Sequence, residues 1–351
     1  MLACIMRGGK LVVDEVPDPR PDTGQVLVRT LACGICGSDL HFLRHAERVV
    51  SMSEQLLPSM GPMAELAVPR IDLSKDIVMG HEFCGEVLEA GPDTTAPEPG
   101  TRVVSLPALV TSSGVHQLAY SNAYPGGYGE QMLLSAPLAL EVPDHLATDQ
   151  AALTEPLAVG IHAVAKSAIG SADAAAVVGC GPVGLAVIAA LHMAGVETIV
   201  AADLSPARRA LATQMGAAEA VDPADEPPID AWRRVDGRKS LVVFEAVGVP
   251  GIIEQLLRDV PPATRVVVVG VCMEPDTFSP FFAIAKELAL QFVLAYSPAD
   301  FAQSLSAIAE GQVDVAPMVT GHVDLAGVPG AFEALGRPEE HVKILVEPTR
   351  A

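Results

Sequence analysis

A six-residue turn, Gly179-Cys180-Gly181-Pro182-Val183-Gly184, constrains what this chain can fold into more than any other stretch. It interrupts residues 174–196, which carry no formal charge. Such a run is long enough for a membrane span. Here, however, Val177-Val178 precedes the glycines and a helical run follows them, so a strand, a tight turn and a buried helix account for it better than lipid does. The alternation then continues. Strand-like runs fall at Ala175–Val178, Thr198–Ala202, Glu219–Val221, Leu241–Phe244, Arg265–Val269 and Leu288–Leu294. Helical runs fall at Val183–Met193, Pro206–Met215 and Pro250–Asp259. Six strands with helices between them predict a doubly wound parallel α/β sheet.

The turn itself reads as a dinucleotide site, because a strand comes before it and a helix after it. Gly179 permits the tight turn, Gly181 lets a pyrophosphate approach the backbone, and Gly184 lets helix and strand pack closely. The helix N-terminus at Pro182, Val183 and Gly184 offers free N–H groups and a partial positive charge to the phosphates. Asp203 follows Gly184 by 19 positions, at the end of the second strand. A carboxylate there accepts hydrogen bonds from ribose hydroxyls and repels a 2′-phosphate, so NAD is expected over NADP. Arg208 and Arg209 lie close enough in sequence to offer the opposite preference.

The 351 residues are half hydrophobic and 19% charged, which suits a globular chain of two domains. The formal charge of −21 sets the chain against phosphate backbones and anionic membrane surfaces, so neither nucleic acid nor membrane is an expected partner. Six cysteines in this length do not make a disulfide framework. Met1–Val13 has neither the apolar core nor the cleavage site of a signal peptide and reads as a first strand; a cytoplasmic setting is expected. The first part of the chain is β-rich, with strands at Lys10–Val16 and Gln25–Ala32. Helices at Asp300–Glu310 and Val328–Leu335 and a strand at Val342–Glu347 close it. The expected division is 154–296 for the dinucleotide domain, and 1–153 with 297–351 for the other.

Three residues far apart in sequence each have a context that suits a zinc ligand: Cys36 in Cys33-Gly34-Ile35-Cys36-Gly37-Ser38-Asp39, His81 in Gly80-His81-Glu82-Phe83, and Glu155 in Thr154-Glu155-Pro156. A thiolate, an imidazole and a carboxylate leave the fourth position of a tetrahedral zinc open, as a catalytic site requires. Each has a blander reading. Cys33 and Cys36 are also spaced as a redox pair or half a zinc ribbon, His81 as a core histidine, and Glu155 as a helix-end carboxylate.

Cys-Gly-Ile-Cys-Gly-Ser-Asp-Leu-His, Gly-His-Glu-Phe-Cys-Gly-Glu-Val, Pro-Gly-Gly-Tyr-Gly-Glu and Gly-Cys-Gly-Pro-Val-Gly occur in that order along nearly the whole chain. Together they resemble the zinc-dependent medium-chain dehydrogenases/reductases, nearest the branch of sorbitol, threonine and glucose dehydrogenases. The resemblance implies a Rossmann domain, a GroES-like catalytic domain, and hydride transfer between NAD and a secondary alcohol or polyol, or its ketone or aldehyde. It implies that Cys36 and His81 bind zinc. Glu155 stands where the alcohol-dehydrogenase branch has a second cysteine, and Glu82 can be a ligand in the polyol branch, so either carboxylate can complete the set. Asp39 would bond the free nitrogen of the His81 ring, Ser38 would take the alcohol proton, and His41 would pass it outward. Family members form dimers or tetramers. A zinc-free quinone or enone reductase of the same superfamily, or a non-enzymatic NAD-binding protein on this scaffold, are the rival readings.

The chain departs from the family twice. The lobe between about Arg102 and Gly126 contains no cysteine, where relatives often hold a structural zinc with four; a single, catalytic zinc is expected. Cys36 and His81 are also 45 positions apart, about twice the family spacing. The extra segment, Arg44–Asp76, is rich in apolar residues such as Met52, Leu56, Met60, Pro62 and Met63. It is expected to form either a lid or wall for a larger or more apolar substrate, or a surface excursion or oligomer contact.

Overall fold

The computed structural model describes residues 1–60, 71–337 and 340–349. Two compact units emerge, one of Met1–Glu155 with Val319–Ala351 and the other of Pro156–Met318.

The first unit opens with an antiparallel hairpin of β1 (Leu2–Arg7) and β2 (Lys10–Glu15). Gly8 and Gly9 join them at φ +55° and +74°, values that a two-residue turn of this twist requires. The long β3 (Gln25–Gly34) leads into α1 (Gly37–Met60), which kinks at His45 (φ −132°, ψ 27°). The expected extra segment is therefore helical as far as Met60. Met52 and Leu56 on it are about half exposed. Pro62 and Met63 fall outside the described residues. Next come β4 (Glu82–Ala90), β5 (Arg102–Ser105), the hairpin of β6 (Ala108–Thr111) and β7 (Gly114–Gln117), β8 (Gln131–Ser135) and β9 (Ala139–Glu141). Two helices follow, α2 (Thr148–Ala152) and α3 (Thr154–Ser167), the second starting in the first unit and continuing in the other.

The second unit is the α/β sheet anticipated from the alternation. Its strands are β10 (Ala174–Val178), β11 (Thr198–Ala202), β12 (Glu219–Val221), β13 (Leu241–Glu245), β14 (Arg265–Val268) and β15 (Ala289–Phe292). All pair in parallel, in the order β12-β11-β10-β13-β14-β15. The order reverses beside β10, so the glycine turn stands where such sheets bind ligands. The helices are α4 (Pro182–Met193), α5 (Pro206–Gln214), α6 (Pro228–Asp236), α7 (Ile252–Asp259), α8 (Pro280–Ala285) and α9 (Pro298–Ala309). Gly184–Leu191 of α4 are all buried, which explains the uncharged run. Among the described residues, no helix is long and apolar enough to cross a membrane.

The chain returns to the first unit with β16 (Val319–Val323), α10 (Val328–Leu335) and β17 (Lys343–Val346). Here the structure divides later than the expected 297. Asp300 on α9 bonds His162 of α3 at 2.8 Å, and Phe301 is 1% exposed and stacks on Tyr296, so α9 belongs with the second unit. The first unit's main sheet runs β16-β17-β3-β4-β5-β9, with β8 also on β3. Its core gathers Ile5, Val28, Tyr128, Met132 and Leu134, none more than 1% exposed.

Inside the second unit, α3 meets α4 backbone to backbone at Gly160, where a Cβ would lie 2.4 Å from the carbonyl carbon and oxygen of Ala186. Gly160→Ala should therefore destabilise the protein by about 1–3 kcal/mol, the usual cost of overpacking, with a lowered denaturant midpoint. An unchanged midpoint would show that this contact is loose.

Candidate metal and cofactor sites

β3 and β4 place the candidate metal residues. Cys36 follows the end of β3 and caps α1, accepting at its carbonyl from the N–H groups of Asp39 (3.1 Å) and Leu40 (3.4 Å). The Asp39 carboxylate returns the bond, its Oδ2 accepting from Cys36 N at 3.1 Å. His81 stands immediately before β4, which lies antiparallel to β3 with Glu82 opposite Gly34. Ligand atoms of Cys36, His81 and Glu82 consequently all lie within 4.8 Å of one another. Cys33 plays no part in this group. It is fully buried, with Gly80 and Gly127 pressed against its sulfur, and burial pushes its thiol well above the ordinary value.

Asp39 is wholly buried and organises the polar side of the site. Tyr120 Oη donates to its Oδ1 and Tyr128 Oη to its Oδ2, each at 2.7 Å. Burial opposes its charge, but the His81 ring and the two phenols hold the carboxyl below its usual range. His81 Nδ1 lies 3.5 Å from Asp39 Oδ1, the expected partner, and is buried without a hydrogen bond of normal geometry. Burial pulls the imidazole toward neutrality; Asp39 and Cys36 outweigh it and raise its pKa well above the histidine range.

The two candidate carboxylates differ. Glu82 is 1% exposed, and both its oxygens accept from Lys343 Nζ, at 2.7 and 2.6 Å. Lys343 is fully buried and also donates to Ile35 O at 3.1 Å. Burial works against its charge, while Glu82, Cys36 and Glu155 together raise its pKa. Glu155 lies outside the 4.8 Å group, in the first turn of α3, 8% exposed and near enough for its charge to act on Lys343. By distance alone Glu82 is the better ligand. Its oxygens, however, are already committed to an ammonium, which competes with any dication for the same carboxylate. Two carboxylates, Glu82 and Glu155, and the Cys36 thiol thus act on one lysine, and the His81 ring lies within 4.8 Å of Cys36 and Glu82. That donor set fits a divalent zinc ion.

Ser38 Oγ lies 3.0 Å from Tyr120 Oη and 3.5 Å from His81 Nε2. His41 is one helical turn farther along α1, half-buried, with its pKa lowered by burial and by the charges of His45 and Arg44. Among the described residues, Ser38 bonds Tyr120 and His81 and not His41. In the cysteine-free lobe, Ser113 Oγ and Thr111 Oγ1 bond His116 Nε2 at 2.9 and 3.0 Å, and the His116 ring packs on Tyr124. A further group, Asp149, His322 and Glu347, also lies within 4.8 Å; its imidazole already bonds Asp149 at 2.8 Å, as a surface ion pair does.

In the second unit, Gly179 (φ +96°) makes the turn after β10. A Cβ on Gly184 would lie 1.8 Å from Gly179 O, so only glycine fits there. Gly181 is the N-cap of α4, and Val183 lies in its first turn. Asp203 Oδ2 accepts from Cys180 N at 2.7 Å and Oδ1 from Ser205 N at 2.8 Å, so the carboxylate braces the glycine turn and keeps a second lone pair on each oxygen. The two arginines diverge. Arg209 is spent on Asp203 O, Leu204 O and Asp222. Arg208 Nη1 is the atom nearest to a Cβ built on Gly181, at 3.9 Å, and its Nε is buried and unpartnered. Arg208 is therefore the one that faces the turn.

Tyr120, Tyr128 and Lys343 were not singled out from the sequence. A lysine between Val342 and Ile344-Leu345-Val346, in a strand reading as wholly apolar, was the available sign of a buried anionic partner. Removing one member of such a pair strands the other charge. Lys343→Met should cost about 3–5 kcal/mol in chemical denaturation, and Glu82→Gln added to it should recover part of that loss. Equal stability of wild type and Lys343→Met would show that the pair does not form.

Residues 22–144 match the alcohol dehydrogenase GroES-like domain, and residues 182–310 match the zinc-binding dehydrogenase family. The chain is 33% identical over 349 residues to the (R,R)-butanediol dehydrogenase of Bacillus subtilis (strain 168), covering 96% of each. It is 28% identical over 359 residues to the sorbitol dehydrogenase of Gallus gallus, covering 98% of this chain and 95% of that one. The crystal structure of 2R,3R-butanediol dehydrogenase from Bacillus subtilis superposes with a TM-score of 0.82 at 30% identity, over 99% of both chains. Glycine turn, metal group and whole-chain likeness agree: the chain belongs to the zinc-dependent medium-chain dehydrogenases/reductases and is an oxidoreductase of their alcohol and polyol dehydrogenase kind.

Proposed function

We propose that this chain oxidises secondary alcohols with a neighbouring hydroxyl, such as vicinal diols and polyols, using NAD and one zinc ion held by Cys36, His81 and Glu155. The observation that carries the reading is the convergence of Cys36, His81 and Glu82 beside Ser38, with Glu82 already neutralised by Lys343 and Glu155 near enough for its charge to act on that lysine. Glu155 is the carboxylate left for the metal. A carboxylate in place of a second thiolate makes a harder centre, which suits a second oxygen from a diol. The diol and polyol named for the relatives agree with this choice.

When bound, zinc supplies a Lewis acid that lowers the pKa of an alcohol, and the nicotinamide takes up the hydride. The chain's own residues do the rest. Ser38 receives the proton at Oγ. His41, on the same helix one turn away, takes it outward. Asp39 holds the Nδ1 side of His81 and so leaves Nε2 for the metal. Gly179, Gly181, Val183 and Gly184 admit the pyrophosphate, Arg208 supplies positive charge beside them, and Asp203 selects NAD by its negative charge. No structural zinc is assigned to the lobe, whose hairpin is held by hydrogen bonds and packing.

A homodimer is the proposed assembly. Phe281, Ile284, Phe292 and Leu294 are each 59–74% exposed, on or beside β15 at the edge of the parallel sheet. An apolar sheet edge of this kind is stabilised by pairing with a second copy. Six unpaired cysteines suit a reducing cytoplasmic setting.

NADH formation should be fastest with 2,3-butanediol or sorbitol, slower with aromatic alcohols, weaker with NADP, and abolished by a zinc chelator. Cys36→Ser and His81→Ala should lower kcat by about a thousandfold or more while NAD binding persists. Normal turnover in either variant, or chelator-resistant turnover, would overturn the metal assignment.

A further inference from the structure

Tyr120 belongs to no motif that the dehydrogenase reading uses, yet its hydroxyl stands between two residues that do. It comes from the cysteine-free lobe, three residues past the end of β7. Ala119 turns it inward, fully buried at φ +72°, a conformation that alanine adopts only when its surroundings hold it there. A Cβ on Gly126 would come within 2.7 Å of the Ala119 methyl, so the turn has no room to relax. The Tyr120 ring then wedges between Phe42 and His81, with ring centroids at 5.1 and 5.6 Å.

The proton bookkeeping around its hydroxyl has one solution. Asp39 is a carboxylate and only accepts. Its Oδ2 is taken by Tyr128 Oη at 2.7 Å and Cys36 N at 3.1 Å; its Oδ1 is reached by Tyr120 Oη at 2.7 Å. The single phenol proton of Tyr120 is thus committed to Asp39. What Tyr120 Oη offers Ser38, 3.0 Å away, is a lone pair. Ser38 must donate to it, and a serine that has given its one proton to Tyr120 presents only lone pairs in every other direction.

We propose that Tyr120 is a positioning residue that fixes the resting direction of the Ser38 hydroxyl, so that Ser38 meets the substrate alcohol with a lone pair; as that lone pair takes the alcohol proton, Ser38 gives up the proton it had held toward Tyr120, and that proton is the one His41 carries outward. This rests on the reading of Ser38 given under Proposed function. Without the phenol, the serine hydroxyl turns freely and is misdirected for part of the time. The same two bonds anchor the lobe beside Cys36 and His81.

The test compares wild type with Tyr120→Phe, Ser38→Ala and the double variant, each as zinc-loaded protein. Tyr120→Phe should lower kcat roughly tenfold, the rate equivalent of one net hydrogen bond, with the alcohol KM, NAD affinity and zinc content unchanged. Added to Ser38→Ala it should cause no further loss, because Tyr120 acts through Ser38. In metal-free protein, proton NMR should show a slowly exchanging hydroxyl resonance that Tyr120→Phe removes and Ser38→Ala shifts. Wild-type kcat in Tyr120→Phe, or the same tenfold loss on the Ser38→Ala background, overturns the proposal. If Ser38→Ala itself keeps full activity, the proton path under Proposed function fails. In that case, or if Tyr120→Phe does not fold, the NMR comparison of wild type with Ser38→Ala decides the hydroxyl's direction alone: a shifted resonance supports it, an unmoved one overturns it.

Discussion

The ion pair between Lys343 and Glu82 is the interaction on which the metal end of the first unit depends. Neither side chain touches solvent. Burying two charges is costly, and the cost is offset only when geometry and extra hydrogen bonds are good. Both conditions are met. Lys343 reaches both oxygens of Glu82 and the Ile35 carbonyl, and Ile35 N in turn donates to Ile344 O. Gly34 makes the space, since a Cβ there would lie 2.0 Å from Glu82 Oε2. The last strand of the chain is thereby locked to the segment that carries Cys36.

The pair also decides the electrostatics next to it. Glu82 would otherwise be a free carboxylate within ligand distance of Cys36 and His81. Neutralised by Lys343, it becomes a wall of the proposed site, in which Glu155 and Cys36 are the remaining donors. Asp39 serves a different end. With three donors on its two oxygens it is a fixed negative charge behind His81, and it dictates which way every hydroxyl near it points. Asp39, Tyr120, Tyr128, Ser38 and the Cys36 backbone act as one hydrogen-bonded network, and such networks hold a geometry more firmly than their members do singly.

Local features were legible in the sequence and long-range pairings were not. Gly179, Gly181 and Gly184 announced the turn because their need is steric and local. Thr198–Ala202 and Glu219–Val221 emerged with the bounds read from their β-forming runs. α6 was missed, since Pro227-Pro228 and a run of charges mask the buried stripe of Ile229 and Trp232. The return of the chain at Val319 was placed early, because nothing local in α9 shows that Asp300 will meet His162. Cys36, His81, Glu82 and Asp39 were named from motifs, and the structure gathers them. Lys343 lies 261 residues from Glu82, and Tyr120 lies 82 from Ser38; no spacing rule connects either pair.

The central claim is that Lys343 keeps Glu82 away from the metal and leaves that place to Glu155. A crystal structure of the zinc-loaded protein, with anomalous data at the zinc edge, tests it most directly. The account predicts one peak per chain bonded to Cys36 Sγ, His81 Nε2 and a Glu155 oxygen, with Lys343 Nζ still on both oxygens of Glu82. Glu82 in the coordination sphere with Lys343 displaced would contradict it, as would a zinc peak elsewhere in the chain.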